Sequence, residues 1–260
     1  MKTFRFIGMA LFAILMCVNF TSCSSSDDDP TEEKEEDVVA NEKKLIEMKL
    51  IDNSEEITWT YSYDEKNRVT SIKMIELGID YTHNSNHTDS ITWGDRFIYI
   101  EEIEDENDNI TLKLANGLVE SAKSRYDNLA FAYNSLKRLI TFRDENYIDT
   151  YTWNNDKLSN ITNESGNVIQ FSYDDKTCKG YFPLVICLDD IIGDNEFFAA
   201  HPDLLGMRTN QLPSKLSSEY YTTDISYTFT NDGYIENCTL KETRVYNGDI
   251  WTTTYKFKWQ

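Results

Sequence analysis

The fold is decided by the stretch Tyr61-Ser62-Tyr63-Asp64-Glu65-Lys66-Asn67-Arg68-Val69-Thr70-Ser71-Ile72, in which a strand, a polar turn and a second strand follow one another. Ile57, Trp59, Tyr61 and Tyr63 share one parity, while Thr58, Thr60, Ser62 and Asp64 take the other. This period of two is typical of a half-buried strand. Residues 64–67 favour a turn, and Asn67 tolerates a left-handed backbone. The stretch therefore predicts a β-hairpin.

The same unit recurs along the chain. Copies lie at residues 131–142, 151–161 and 227–235, and Asn116-Gly117 is the strongest two-residue turn signal. Sequential hairpins at this spacing predict a mainly β fold, an antiparallel up-and-down meander that is twisted and curled or barrel-like. A two-sheet sandwich is the alternative, because the sequence does not show whether the first and last strands meet.

One segment breaks the rhythm of the hairpins. Residues 183–193 are too apolar for a loop, and residues 194–201 begin like a capped helix that ends near Pro202. We expect one short helical insertion around residues 183–205, made of one or two helices. Because a helix this apolar has to be buried, it should cover one end or one face of the sheet.

The first 22 residues are typical of an export signal. Lys2 and Arg5 precede an apolar run, residues 6–20, which is too short to cross a bilayer. Phe20-Thr21-Ser22-Cys23 resembles the lipobox of bacterial lipoproteins, in which the signal is cut before a cysteine that is then acylated. The resemblance implies that residues 1–22 are removed and that Cys23 carries the lipid, with Cys17 the poorer candidate.

The residues after Cys23 are strongly acidic. Nine acids lie between Ser24 and Glu42, opposed by Lys34 alone. Such a segment buries too little apolar surface to offset its ordering entropy, so residues 23–42 are predicted to form a disordered tether. Ser24-Ser25-Ser26-Asp27-Asp28-Asp29 also resembles the signal that sends Bacteroidota-type lipoproteins to the cell surface. The remaining residues, 43–260, suit a single β-rich domain.

Charge and cysteine content exclude several kinds of protein. The formal net charge of −20 disfavours nucleic acid as a partner, because a polyanion would be repelled. Cys178, Cys187 and Cys238 are too few for a disulfide framework. A bridge between Cys178 and Cys187 and a set of buried thiols both remain open.

The sequence carries no complete catalytic or metal-binding motif. His83 and His87 lie in a predicted polar loop, residues 82–89, and on an extended strand they would be too far apart to share a metal. Asp105, Asn107 and Asn109 begin like a calcium loop, but Ile110 stands where glycine is needed. Pairs such as Asp189-Asp190 and Glu101-Glu102 are expected by chance among 45 acids. We therefore predict no catalytic residue, cofactor or metal.

Two resemblances bear on fold and function. Tyr61-Ser62-Tyr63-Asp64 with Arg68-Val69 resembles the tyrosine-aspartate repeats of large encapsulating toxin shells. From the lipobox to the stretch after the helical segment, the chain is similar to an uncharacterised family of Bacteroidota surface lipoproteins with a porin-like, many-stranded antiparallel sheet. The family implies the fold and no activity. Both strand parities here carry charged or hydroxyl groups, unlike the apolar outer band that a bilayer requires.

These features predict a lipid-anchored protein of the outer membrane that faces the cell exterior. We expect a non-enzymatic binding or scaffolding role, with a glycan or a protein as partner, because flat aromatic rings on a sheet can stack against sugars. Trp59, Trp93, Trp153, Trp251 and Trp259 are the candidates, although packing in the core is the alternative for each. The rival functions are a surface hydrolase with strand-borne carboxylates near the helical insertion and a purely structural envelope protein.

Overall fold

The computed structural model describes residues 42–78, 84–103, 109–144, 147–188 and 195–260, and this part of the chain contains sixteen strands and three short helices. The strands are β1 (Leu45–Ile51), β2 (Glu55–Tyr63), β3 (Val69–Gly78), β4 (Asn84–Trp93), β5 (Phe97–Glu102), β6 (Ile110–Ala115), β7 (Leu118–Lys123), β8 (Asn128–Tyr133), β9 (Leu139–Asp144), β10 (Tyr147–Asn154), β11 (Lys157–Asn163), β12 (Val168–Phe182), β13 (Thr209–Ser217), β14 (Tyr221–Phe229), β15 (Ile235–Arg244) and β16 (Ile250–Trp259). Between β12 and β13 lie the 3-10 helix α1 (Leu184–Cys187), the α-helix α2 (Asn195–Ala200) and the 3-10 helix α3 (Pro202–Leu205).

The strands form one closed antiparallel barrel. Each strand pairs with its neighbours in the chain, and β1 pairs with β16. At this seam Met48 lies opposite Phe257, and the main chains of Lys44 and Gln260 exchange two hydrogen bonds of 2.7 and 2.9 Å. The predicted mainly β, antiparallel meander is confirmed in its barrel form. The two-sheet sandwich is excluded, because the first and last strands meet.

The apolar side chains of each strand, which occupy alternate positions, point into the barrel. On β2, Trp59 and Tyr61 are buried, whereas Thr60 and Ser62 are exposed. The corresponding residues of the other strands form one continuous core with the helices. Its strand members include Leu45, Ile72, Ile91, Ile98, Leu112, Val119, Phe131, Leu139, Tyr151, Leu158, Phe171, Leu216, Ile225, Ile235 and Phe257. The two-residue period of the sequence thus sets which side chains fill the barrel.

The outer wall is polar. Ion pairs cross neighbouring strands on this side, joining Lys49 to Glu56 at 2.7 Å, Lys113 to Glu120 at 2.6 Å, Lys215 to Asp224 at 3.8 Å and Lys258 to Glu47 at 2.7 Å. Phe97 and Tyr99 on β5 are an exposed aromatic pair among these charges. A transmembrane barrel instead presents an apolar band outward. The distribution of charge therefore matches a wall that faces water.

The predicted turn residues adopt the expected backbone. Asn67 has a φ of 62°, and Asn116 and Gly117 have φ values of 54° and 79° between β6 and β7. Asp64 closes the first repeat turn, because its Oδ1 accepts hydrogen bonds from the N–H groups of Lys66 and Arg68. These turns are local, which is why the sequence alone predicts them.

The helices plug one end of the barrel, in agreement with the predicted helical insertion. Phe197 and Phe198 of α2 are fully buried. The hydroxyl of Tyr61 donates to the Glu196 carbonyl at 3.2 Å, and the ring of Trp93 lies 6.1 Å from that of Phe197. Gly206, which follows α3 with a φ of 61°, packs so closely on the Lys137 carbonyl that a Cβ atom would overlap it. The plug therefore fits against the turn between β8 and β9.

A repeated side-chain bond joins the strands at this closed end. A tyrosine or tryptophan of an even-numbered strand donates to a carbonyl of the preceding odd-numbered strand. The bonds run from Tyr63 to Leu45, Trp93 to Val69, Tyr133 to Val119, Trp153 to Leu139, Tyr173 to Leu158, Tyr227 to Pro213 and Trp259 to Ile235, at 2.5–3.1 Å. The turns at this end join each even-numbered strand to the next odd-numbered strand. The aromatic hydrogen bonds join an even-numbered strand to the odd-numbered strand before it, a pair that no turn connects at this end.

Removing one of these donors should destabilise the barrel. Tyr133→Phe leaves the Val119 carbonyl without its side-chain donor in a partly buried site, and we expect a loss of about 1–2 kcal/mol in the free energy of unfolding. Tyr99→Phe, at an exposed site on the outer wall, is the matched control and should change it by less than about 0.5 kcal/mol. Urea unfolding measures both. Equal stability of Tyr133→Phe and the wild type would contradict the proposed role of the bond.

His201 joins the plug to the strands as a neutral side chain. Its Nε2 accepts a hydrogen bond of 3.0 Å from the N–H of Val69, and its ring lies edge-on to Trp93 at 5.2 Å. Burial lowers the pKa of His201 to about 4, against a smaller opposing effect of Asp64. A protonated imidazole could not accept the Val69 hydrogen bond.

This depressed pKa predicts a pH dependence of stability. Below pH 6.5 the unfolded chain gains a proton on His201 that the folded protein does not bind. The contribution of the neutral side chain is therefore complete above pH 6.5 and is lost as the pH falls towards 4, by about 3 kcal/mol in total. His201→Asn keeps an acceptor for Val69 and removes this dependence. Unfolding curves measured across this range test it, and an unchanged pH profile in the variant would refute it.

Candidate functional site

At the end opposite the plug, the described turns leave a cavity of about 570 Å³. It lies among the ends of β8 to β14, and Leu188, directly after α1, adds the plug segment to its wall. The lining residues are Asp127, Leu129, Phe142, Asp144, Tyr147, Asp149, Tyr151, Ile161, Asn163, Asn167, Val168, Ile169, Leu188, Ser218, Tyr220 and Tyr221. The volume falls in the range of about 300–1,000 Å³ that is usual for small-molecule sites. The cavity is therefore the candidate functional site. We call it the mouth cavity.

Alternation on β10 brings three of the polar side chains into the mouth cavity. Tyr147, Asp149 and Tyr151 occupy one parity of this strand and all line the cavity. In the pairing with β9, Tyr147 lies opposite Asp144 and Asp149 lies opposite Phe142. Two carboxylates and two phenols thus share one wall with an apolar ring.

The turns at the mouth hold the rest of the lining. Ser218 Oγ accepts hydrogen bonds of 3.2 Å from the N–H groups of both Tyr220 and Tyr221. Asn163 Oδ1 accepts one of 2.9 Å from the N–H of Asn167. These side-chain-to-backbone bonds are local and fix the turn conformation. The lining is therefore largely preformed, as ligand sites usually are.

The chemistry of the lining favours some ligands over others. It carries three carboxylates, on Asp127, Asp144 and Asp149, and none of the lining residues is Lys, Arg or His. An anionic ligand would be repelled. Tyrosine faces can stack on flat or apolar surfaces, while carboxylates and amides bond hydroxyl or amino groups. The cavity suits a neutral, hydroxyl-rich ligand or a cation.

A second acidic group lies elsewhere at the same end of the barrel. Burial raises the pKa of Glu55 on β2, and repulsion from Asp52 and Glu76 raises it further. A hydrogen bond links Glu55 to Glu76, whereas neither residue lines the mouth cavity. The two catalytic carboxyls of a glycosidase lie at least about 5 Å apart, and a hydrogen-bonded pair does not match that separation.

Several residues that the sequence singled out as site candidates lie in parts of the chain that the structure does not describe. His83 lies outside the described residues, as do Asp105, Asn107, Asp189, Asp190 and Cys23, the residue predicted to carry the lipid. The predicted loop at 82–89 is wrong from residue 84 onward, because β4 begins at Asn84 and pairs His87 with Met74. Residues 84–89 are polar, which favoured a loop, but their pairing with β3 makes them part of a strand.

The described cysteines are free thiols. Cys178 and Cys238 are buried and Cys187 is half-buried, so no bridge joins Cys178 to Cys187. Burial raises the pKa of Cys178 and Cys187 to about 12. Within the part of the chain that the structure covers, no three His, Cys, Asp or Glu side chains are grouped to hold a metal ion.

The tryptophans differ in how far they are buried. Trp59 is 8% exposed, and Trp153 packs against the core with its Nε1 bonded to Leu139. Trp251, at the open end of β16, is 40% exposed. Tyr147, Asp149 and Tyr220 were not predicted from the sequence. The available signal was Asp149, an aspartate on the aromatic parity of β10, where a core strand is expected to carry an apolar side chain.

Glu42, the last residue of the predicted tether, is held by the barrel. It forms an ion pair with Arg208, and the neighbouring Lys43 pairs with Asp232 at 2.8 Å. Both contacts lie at the plugged end, where β1 begins. The described chain therefore enters the barrel at the end opposite the mouth cavity.

Among the helices described, none has the length and apolar character needed to span a membrane.

Two solved structures resemble this fold. A porin-like protein from Bacteroides uniformis matches with a TM-score of 0.63 and 14% identity over 83% of this chain and 96% of its own. A porin-like protein from Bacteroides vulgatus matches with a TM-score of 0.54 and 12% identity over 83% of this chain and 98% of its own. No family model matches the chain, and no curated protein matches it either. At this level of identity the likeness extends to the fold.

Proposed function

We propose that this chain is a lipid-anchored, non-enzymatic binding protein of the outer-membrane surface, and that its mouth cavity binds a neutral glycan. The observation that carries the proposal is the cavity of about 570 Å³ with four tyrosines, three carboxylates and two asparagines in its wall. A sugar uses both parts of such a lining, since its ring faces stack on aromatics and its hydroxyls bond to carboxylates and amides.

The proposed location rests on the N-terminal sequence and on the charge of the barrel. Residues 1–22 have the features of a signal peptide, Cys23 is the expected acylation site and residues 23–42 form the expected tether. The polar outer wall suits a barrel held at the membrane by a lipid rather than inserted in it. The described chain starts at the plugged end, opposite the mouth cavity. Nucleic acid is not an expected partner.

Two rival functions use the same fold. A surface hydrolase would use Asp144 and Asp149, which are carried by neighbouring strands and line one cavity. It would release products from a glycan that the cavity binds. A purely structural envelope protein would bind none of the tested glycans.

The glycan proposal can be tested with an isosteric variant. Asp149→Asn removes a carboxylate from the cavity wall, and we expect affinity for the bound neutral oligosaccharide to fall at least about tenfold. Asp224→Asn, on the outer wall of β14, is the control and should bind like the wild type. A glycan array identifies the ligand and calorimetry measures its affinity. Unchanged affinity in Asp149→Asn would refute the assignment of the site, and product release would favour the hydrolase.

The anchor has its own test in the full-length chain. Expressed in a Gram-negative host fed an alkyne-labelled fatty acid, the wild type should carry the label and fractionate with the outer membrane. Cys23→Ser should lose both properties, because the acyl chains supply the membrane affinity. Cys17→Ser is the matched control and should keep both. Labelling of Cys23→Ser would contradict the assignment of the lipid site.

A further inference from the structure

Two turns beside the mouth cavity expose a group of large apolar side chains. Tyr220 precedes β14, and Val245, Tyr246, Ile250 and Trp251 surround the turn between β15 and β16. Their exposed fractions range from 40% for Trp251 to 71% for Tyr246. Large exposed apolar patches mark binding surfaces more often than singly scattered residues do. We call these five residues the rim platform.

Arg244 holds the aromatic rings of the rim platform in place. Its guanidinium lies 4.5 Å from the centroid of the Trp251 ring, and its Nη1 donates a 3.2 Å hydrogen bond to the hydroxyl of Tyr246. The same side chain lies 3.8 Å from a carboxylate oxygen of Glu242. A cation packed on one ring and bonded to the other fixes both at low entropic cost on binding. One side chain therefore links the two aromatic rings, Trp251 and Tyr246, of the platform.

The rim platform is continuous with the mouth cavity. Tyr220 belongs to both, and its carbonyl accepts a 2.9 Å hydrogen bond from the N–H of Val245. Tyr221, another lining residue, lies opposite Arg244 in the pairing of β14 with β15. Trp251 lies opposite Glu242 on the next pair of strands. A ligand that leaves the cavity on this side therefore meets the aromatic rings that Arg244 contacts.

We infer that the platform binds the continuation of the glycan whose end occupies the mouth cavity, so that the site recognises an extended neutral chain. This inference rests on the proposed function. Trp251 and Tyr246 would each stack against a sugar ring beyond the cavity, and Tyr220 would support the unit at the boundary. The three carboxylates of the cavity disfavour an acidic chain.

A peptide fits this surface less well than a sugar chain does. In the described part of the barrel every strand is paired on both sides, so no strand edge is open for an extended peptide to join. The platform consists of turn residues, and it adjoins a cavity rather than a long apolar groove for a helix. A sugar chain, whose rings stack one by one on aromatic side chains, requires neither an open strand edge nor an apolar groove.

Chain length is the variable that tests the inference. Calorimetry on the mature chain would use neutral gluco-oligosaccharides from disaccharide to heptasaccharide, in α-1,4-linked and β-1,4-linked series, together with a lysine-rich peptide. The wild type should bind longer sugars more tightly than the disaccharide. Trp251→Ala should lose about tenfold in affinity for the long sugars and keep its affinity for the disaccharide. Trp251→Phe, which retains a ring, should recover most of the loss.

The controls separate the platform from the cavity. Tyr126→Ala removes a comparably exposed tyrosine that belongs to neither surface and should behave like the wild type at every length. Asp149→Asn should weaken binding of all lengths alike. Wild-type affinity that does not depend on length would overturn the platform and leave the cavity proposal standing. Binding of no sugar would overturn both, and tight binding of the peptide alone would replace the glycan with a cationic partner.

Discussion

The structure depends on the hydrogen bond that an aromatic side chain of one strand donates to a carbonyl of the strand before it. Trp93, Trp153 and Trp259 use the indole N–H for this purpose, and four tyrosines use the hydroxyl. Each ring fills the interior while its polar tip satisfies a main-chain acceptor, which a buried apolar side chain cannot do. These bonds draw the plugged end of the barrel together, and the mouth cavity lies at the opposite end, among the described turns.

Local features of the fold could be predicted from the sequence, and features that join distant segments could not. The parity of Trp59 and Tyr61, the turn at Asn116-Gly117 and the helical insertion each depend on neighbouring residues. Closure of the barrel depends on β1 meeting β16 across nearly the whole chain. The mouth cavity combines side chains from β8 to β14, so no single stretch identifies it.

A barrel of this architecture can face water or lipid, depending on whether the side chains that point inward or those that point outward are apolar. Here the inward side chains are apolar and the outer wall carries ion pairs such as Lys113 with Glu120. The porin-like structures share the fold at 14% and 12% identity, so the fold requires few specific residues. The alternation of side chains, rather than the topology, decides whether a barrel interior is a filled core or a channel.

The most direct test of this account is hydroxyl-radical footprinting of the intact barrel, read by mass spectrometry at single aromatic residues. A barrel plugged and filled at one end and open at the other predicts rapid oxidation of Trp251 and Tyr220, with Trp59 and Tyr61 protected until the protein unfolds. Oxidation of Trp59 and Tyr61 at the rate of Trp251 in the folded protein would mean that water fills the interior. That result would contradict the account and favour a channel.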